Sequence, residues 1–398
     1  MRLLHTADWH LGDRLGTVDR AQDQMRSIEA ILAHCEENRV DVLVVAGDVF
    51  NDYATDNLSG LMREFARRLA PCFRRGMRVL LLSGNHDKEQ MFQLLEMVQT
   101  YSGPEAARRL YFVGRPRILR LEDPSTDSFV QFALAPYPTV RRYIENDSQV
   151  KGLMAAERRQ LLARAFASKI EEARGEVDAA IPSVLVSHVY VRGTETSTLY
   201  RMNEEDDIPV EPSDIPTWSY VALGHIHKAQ EIGARSTVRY SGSPDRMDLG
   251  ERNDQKSCVM VDIGRGSVAD SMVLLPLPVT PMYSIRVNPG DDIDQMASLY
   301  PDHERALVHL DVTWRPGADN ISAMVAELRR IFPRHFRLDQ RPLTEASVAR
   351  RLDSDPLDMT STVRAYLARK LEPGSGRDRI FALADELVEE VRNAALAD

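Results

Sequence analysis

Five short motifs hold most of the chemistry this sequence can do. They are DWH at Asp8–His10, GDVFND from Gly47, GNHD from Gly84, SH at Ser187–His188 and GHIH from Gly224. Taken singly each is weak, since GNHD could be a turn and a lone His188 a hydrogen-bonded core residue. Together they place His10, His86, His188, His225 and His227, half of the ten histidines, behind apolar runs. Side chains just past the ends of neighbouring strands converge on one rim of a sheet. In extended backbone residues i and i+2 point the same way, so Asp8/His10 and His225/His227 are expected to act as two-pronged pairs.

Asp, Asn and His donors without Cys suit Mn, Fe or Zn and disfavour an oxygen-only Ca or Mg cage. The donors are too many for one tetrahedral ion and about enough for two sharing a carboxylate. Such pairs clamp an in-line displacement at phosphorus. Two divalent ions bring four positive charges; Asp8 and Asp48 cancel two, and a hydroxide with one phosphodiester cancels the rest.

The elements that must position these residues show in the apolar pattern. Leu3–Ala7, Val42–Ala46, Val79–Leu82, Phe129–Leu134, Val184–Ser187, Tyr220–Leu223 and Cys258–Ile263 are strand-length runs ending near Gly, Pro, Asp or Asn. Between the first two, Ala21, Met25, Ile28, Leu32 and Cys35 share one helical face, so the chain opens β-α-β. Long helices thin out later, which predicts an α/β fold of two packed sheets with helices outside rather than a doubly wound sheet. Glu157–Arg174 reads as a helix with a solvated Arg-rich face. PLPVTP at 276–281 reads as a joint. The expected domains are 1–280 carrying the motifs, a small α/β unit at 281–341, and a helical tail at 342–398.

Lys and Arg total 50 and Asp and Glu 60, a net charge of −10, which excludes a wholly basic nucleic-acid binder but not a basic patch. Three scattered cysteines, Cys35, Cys72 and Cys258, build neither a disulfide framework nor a thiolate metal site. No run approaches the ~18 apolar residues of a membrane span, and the N-terminus lacks a signal-peptide core. The expectation is a soluble cytoplasmic protein.

The segments LLHTADWHLG, VVAGDVFND, LLSGNHD, VSH, YVALGHIHKAQ and YSGSPDRMDLGE, spread over residues 3–251, resemble the calcineurin-like metallophosphoesterases. Within them they resemble the double-strand-break repair nucleases. The resemblance implies a two-sheet sandwich and two divalent ions, with manganese the expected metal. One ion would be held by Asp8, His10, Asp48 and His227, the other by Asp48, Asn85, His188 and His225, with Asp48 bridging. His86 would serve as the catalytic group beside the ions, oriented by Asp87. The implied activity is 3′-to-5′ cleavage of duplex DNA ends with nicking of single strands and hairpins, in a bacterial, nucleoid-associated setting. The implied partners are an SbcC-type coiled-coil ATPase and a second copy of the chain. Relatives often carry His three residues after the bridging aspartate; Asn51 stands there and cannot shuttle protons, so it is expected to contact phosphate or orient a neighbour.

Two rivals share the fold: a small-molecule phosphoesterase, which would not need the last 120 or so residues, and an inactive scaffold, which would have lost ligands. DNA contacts are expected at Arg329, Arg330, Arg334, Arg337 and Arg341, interleaved with aromatics, although a solvated helix end followed by an amphipathic strand would look the same. Dimer contacts are expected from the stripes Leu58, Leu61, Met62, Phe65, Leu69 and Phe92, Leu95, Val98, Tyr101, much of which must also pack on the sheet. Partner docking is expected from the tail stripes Val363, Tyr366, Leu367, Leu371 and Ile380, Ala384, Leu387, Val391.

Overall fold

The structure, a computed structural model, describes residues 1–51, 58–101, 109–144, 150–197, 207–264 and 266–343. Beyond these it describes only 367, 377, 379–385 and 387. Most of the predicted tail pair therefore lies outside the described residues; the positions that are described there are helical.

Backbone contacts divide the chain into two compact units. One comprises Met1–Ser284, Ala297–His309 and Ile331–Arg337; the other comprises Ile285–Met296, Leu310–Arg330 and Leu338–Asp398.

The first unit is built on two six-stranded sheets. Its elements are β1 (Arg2–Thr6), α1 (Ala21–Glu37), β2 (Val42–Val45), α2 (Leu58–Arg74), β3 (Arg78–Leu82), α3 (Glu89–Tyr101), β4 (Leu110–Val113), β5 (Arg117–Glu122), β6 (Phe129–Ala135) and α4 (Ala155–Glu176). After α4 come β7 (Ser183–His188), β8 (Tyr220–Gly224), β9 (Gln230–Ile232), β10 (Arg235–Tyr240), β11 (Ser257–Asp262) and β12 (Val273–Pro276). The strand orders are β12-β11-β1-β2-β3-β4 and β9-β10-β8-β7-β6-β5. In the first sheet β1 to β4 are parallel, with β11 antiparallel beside β1 and β12 antiparallel beside β11; in the second β6, β7, β8 and β10 are parallel, with β5 and β9 antiparallel at the two edges.

This is the predicted pair of sheets with helices outside, and the burial explains why the runs are apolar throughout. Val42 and Val44 face the second sheet, in a core shared with Leu80, Leu82, Phe132, Val184 and Val186. Leu43 and Val45 face the helices, packing with Ile28, Ile31, Phe65 and Phe92. The other outer face carries Phe166 and Ile170 of α4 against Leu185 and Val221. A strand buried on both faces has no polar alternation. Strands that the apolar pattern does not mark, such as β5 (RILRLE) and β10 (RSTVRY), are partly exposed and charged, so they lack that signal.

PLPVTP starts on the last residue of β12 and leads into β13 (Met282–Val287), and the first unit runs on past it to Ser284. The strands β13, β14 (Leu307–Trp314) and β15 (His335–Pro342) form a three-stranded sheet in that order, and α5 (Ile321–Ile331) lies between β14 and β15 in sequence.

Candidate metal centre

All five motifs follow parallel strands at the same end of the two sheets: β1, β2 and β3 in one, β7 and β8 in the other. The expected extended pairs are not what holds them. Asp8 (φ 54°), His10 (φ 44°), Asp48 (φ 49°) and His225 (φ 101°) are all in the positive-φ region, where a non-glycine residue is strained by roughly 1–3 kcal/mol. Neighbouring loops impose this. The amides of Asp8, His10 and Leu11 donate to the carbonyls of Gly47, Asp48 and Val49, lacing the DWH loop to the GDVF loop. Glycine is needed where these loops approach most closely. A Cβ at Gly84 would lie 2.0 Å from Asp48 Oδ1, and one at Gly47 (φ 97°) would lie 2.1 Å from His188 Nδ1.

The ring nitrogens then show what the pocket expects. His188 Nδ1 donates to the Ala46 carbonyl (2.8 Å), leaving Nε2 to face Asn85 Oδ1 (2.9 Å) and Asp48 Oδ2 (3.3 Å). His225 Nε2 donates to Asp207 Oδ2 (2.5 Å), leaving Nδ1 to face the same Asn85 oxygen (3.0 Å). His227 Nδ1 donates to Glu251 Oε1 (2.9 Å), leaving Nε2 against His10 Nε2 (3.3 Å). These nitrogens converge with the oxygens of Asp48 and Asn85, the donor set of a cation, which would take the place of the proton that Asp48 and Asp8 favour on His188. The ligating atoms of Asp8, His10 and His227 lie within 4.8 Å of one another, as do those of Asp8, Asp48 and His188. Asp48 also groups with His10 and His86, so the geometry admits His86 near an ion as well as beside it. Borderline divalent ions fit these residues.

Two carboxylates that sequence reasoning missed are built into this set. Asp207 is buried and also accepts from Tyr137 Oη and the Ile208 amide. Glu251 is fully buried and accepts from Lys256 Nζ (2.7 Å) and the Met247 amide (3.0 Å). Glu251 sits in the segment YSGSPDRMDLGE that carries the resemblance, but nothing local says that it reaches His227. Glu251 and Lys256 cancel, whereas Asp207 adds a negative charge to the two of Asp8 and Asp48.

Asp87 does something other than the expected orienting of His86. Its carboxylate accepts from the amides of Val49, Phe50 and Gly84, tying the loop of Asp48 to the loop of Asn85. Among the described residues no hydrogen bond joins it to His86, whose amide instead donates to Asp48 Oδ1 (2.9 Å). Asn51 donates to Asp13 Oδ1 (2.5 Å).

The electrostatics follow from this burial. Desolvation and the nearby Asp48 charge push the Asp87 carboxyl up to about 7. Desolvation disfavours the Asp48 anion, but His188 and His10 outweigh it and hold that carboxyl well below its usual range. Desolvation also opposes charge on His188, yet Asp48 and Asp8 raise it to about 9. His10 is pushed well below its ordinary value by burial.

The predicted DNA-contacting arginines lie elsewhere in the chain, and several are already paired. Arg334 is bonded to Asp23 and donates to the Arg305 carbonyl (2.7 Å). Arg330 pairs with Glu327 (2.5 Å) and Arg341 with Asp311 (3.2 Å). Arg329 is exposed on α5, and Arg337 is an exposed residue of β15.

The family model "Calcineurin-like phosphoesterase" matches residues 1–229, which contain every proposed metal ligand. The chain belongs to that family and is a metal-dependent hydrolase of phosphodiesters. It is 28% identical over 293 residues to the SbcD component of the SbcCD nuclease of Escherichia coli K12, covering 70% of this chain and 69% of that one. It is 29% identical over 278 residues to the protein of the same name from Bacillus subtilis, covering 68% of each. Among solved structures, a dimetal phosphatase from Danio rerio is similar at 11% identity and TM-score 0.38, covering 70% of this chain and 99% of that one. No helix among the described residues is long and apolar enough to cross a membrane.

Proposed function

We propose that this chain is the nuclease subunit of an SbcCD-type complex, cutting DNA phosphodiesters with two manganese ions. Its proposed actions are 3′-to-5′ degradation of duplex ends and cleavage of single strands and hairpins. The observation that carries the reading is a set of three overlapping ligand groups, Asp8–His10–His227, Asp8–Asp48–His188 and His10–Asp48–His86, which share the buried Asp8, His10 and Asp48, with the ring nitrogens that His188, His225 and His227 leave unanchored turned inward. The named nuclease relatives support DNA as the substrate.

In this reading Asp8, His10, Asp48 and His227 hold one ion, and Asp48, Asn85, His188 and His225 the other. When bound, the ions supply positive charge to the phosphoryl oxygens and lower the pKa of the attacking water. The chain supplies the rest. Ala46, Asp207 and Glu251 fix the imidazole tautomers. Asp87 locks the loops of Asp48 and Asn85 together. His86, its backbone fixed by Asp48, donates a proton to the leaving oxygen.

The proposed organisation is a nuclease domain at 1–280, a cap at 281–341 and a docking tail at 342–398. Arg329, Arg330, Arg334, Arg337, Arg341 and Asn51 are proposed phosphate contacts, which position DNA without reading bases. The proposed partner of the tail is an SbcC-type coiled-coil ATPase. For the proposed homodimer, Phe65, Leu69 and Phe92 are unavailable because they are buried in the core. Val98 of the expected stripe is exposed, as are Leu94 and Met97 of α3, and these three are the better contacts. The side chains of Leu58, Leu61 and Tyr101 lie outside the described set.

The test is incubation with Mn²⁺ and end-labelled duplex, hairpin and circular single-stranded DNA, beside a chromogenic phosphodiester. DNA cleavage that requires Mn²⁺ is expected. Hydrolysis of the small ester with every DNA intact would transfer the reading to a small-molecule phosphoesterase.

A further inference from the structure

His227 is gripped at three points by a short downstream stretch, residues 242–256. Its Nδ1 donates to Glu251 Oε1 at 2.9 Å, and its carbonyl accepts from Lys256 Nζ at 3.0 Å and from the Ser243 amide at 3.1 Å. The same ammonium donates to Glu251 Oε2 (2.7 Å) and Ser243 Oγ (3.0 Å), so one buried cation ties side-chain partner to backbone. Lys256 and Glu251 expose 1% and 0% of their side chains. Gly242 (φ 75°) passes so close beneath that a Cβ there would meet the His227 carbonyl oxygen at 2.7 Å.

A buried ion pair is a costly way to gain stability, since packed apolar side chains of similar volume often serve as well or better. Here the pair has geometry that an apolar pair could not supply. It selects the ring nitrogen that His227 turns into the pocket and holds the backbone from which the ring projects. His225, two residues away, is set differently. Asp207, itself held by the neutral donors Tyr137 Oη and the Ile208 amide, makes it present the other nitrogen.

We propose that Glu251 and Lys256 are positioning residues for the divalent cation held by Asp8, His10 and His227, and that Asp207 does the same for the cation held by Asn85, His188 and His225. Each ion is then tuned by its own carboxylate. This rests on the two-metal reading. Loss of such a carboxylate partner typically costs 10- to 100-fold in metal affinity.

The experiment titrates Mn²⁺ into the full chain, followed by calorimetry and by electron paramagnetic resonance, which separates coupled from single ions. The wild type is expected to take two. His225→Ala and His227→Ala, each retaining one, give backgrounds in which a single position is read. Glu251→Gln is expected to weaken the remaining ion at least tenfold in His225→Ala and to change it less than twofold in His227→Ala. Asp207→Asn should show the opposite pattern. Glu251→Gln strands the Lys256 charge, so Glu251→Gln/Lys256→Met is measured alongside. Glu251→Asp, which keeps the charge and shortens the reach, is read in the same way should either fail to fold. Equal weakening in both backgrounds, or none in either, overturns the proposal. A wild-type chain that binds fewer than two Mn²⁺ overturns the two-metal reading instead, and with it the basis of the proposal.

Discussion

The metal pocket and the arginine segment from Arg329 to Arg341 are both densely polar, yet they are built on opposite rules. In the pocket Asp8, His10, Asp48 and His188 are buried and His225 and His227 half-buried, and the partners of the last three histidines leave their other ring nitrogen turned inward. In the arginine segment Arg330 pairs with a residue three positions away on its own helix and is largely exposed, and Arg341, with Asp311, is exposed as well. Burial makes the difference informative. A solvated charge costs little and can sit anywhere, whereas carboxylates and imidazoles gathered in a desolvated pocket are expensive and mark a cation site. Arg334 belongs to neither class: its partner Asp23 is buried, so it ties the residues after α5 to α1 within the first unit.

The sharpest way to break this contrast is Asp48→Ala. Removing the shared carboxylate should release both ions and lower turnover by roughly 10³-fold or more, the scale of losing a catalytic group. His86→Gln should keep both ions and lose about 10²–10⁴-fold in turnover. Metal analysis of the two purified variants decides between these roles, and a His86 variant short of an ion would make it a ligand.

Next in size is Gly84→Ala. Its Cβ would meet the Asp48 backbone nitrogen at 2.4 Å as well as the carboxylate. Overpacking of this kind costs about 1–3 kcal/mol, and a clash with main chain leaves no flexible side chain to yield. Thermal melts with EDTA and with Mn²⁺ should show lower stability in both and a smaller metal-induced gain. A melt matching wild type would mean that the loops are not tightly laced.

A third expectation separates burial from metal binding. His5 accepts from Tyr220 Oη at Nδ1 (3.0 Å) and donates to the Leu223 carbonyl from Nε2 (3.1 Å), spanning the two sheets while neutral. Burial lowers it to about 3, against an ordinary 6.5. Between those values the unfolded chain binds the extra proton, so stability is full above pH 6.5 and falls as pH drops toward 3. The slope from this group is about 1.4 kcal/mol per pH unit. His5→Gln should flatten that part of the urea-measured stability curve in metal-free protein. An unaltered slope would show that His5 is charged when folded.

The smallest effect should come from the arginines. Neutralising Arg329 and Arg337 should leave metal content unchanged and lower the salt slope of duplex binding by ~0.9 for each phosphate no longer neutralised. If the slope stays the same, the segment is a solvated surface and the contrast with the pocket becomes complete.

Legibility from sequence differs by element. VLVV of β2 and RVLLL of β3 announce themselves because strands buried on both faces must be apolar throughout. β10, with arginine at both 235 and 239, does not, because partial exposure tolerates charge. The motifs identify the ligand types, but alternation along an extended strand does not describe Asp8 and His10. Their positive φ is imposed by hydrogen bonds to residues 47 and 48, some forty positions away.

The composition of the site could be read without coordinates: which donors are present, that they follow strands, and that they suit divalent metal. Those properties follow from side-chain chemistry and from the short-range periodicity of buried strands. It took folding to choose which nitrogen each histidine offers, to make Asp87 the tie between two loops, and to set Glu251 and Asp207 behind His227 and His225. Each of these is a contact between segments brought together in three dimensions. A carboxylate that reaches a histidine 18 or 24 positions away leaves no mark on the local pattern of the chain.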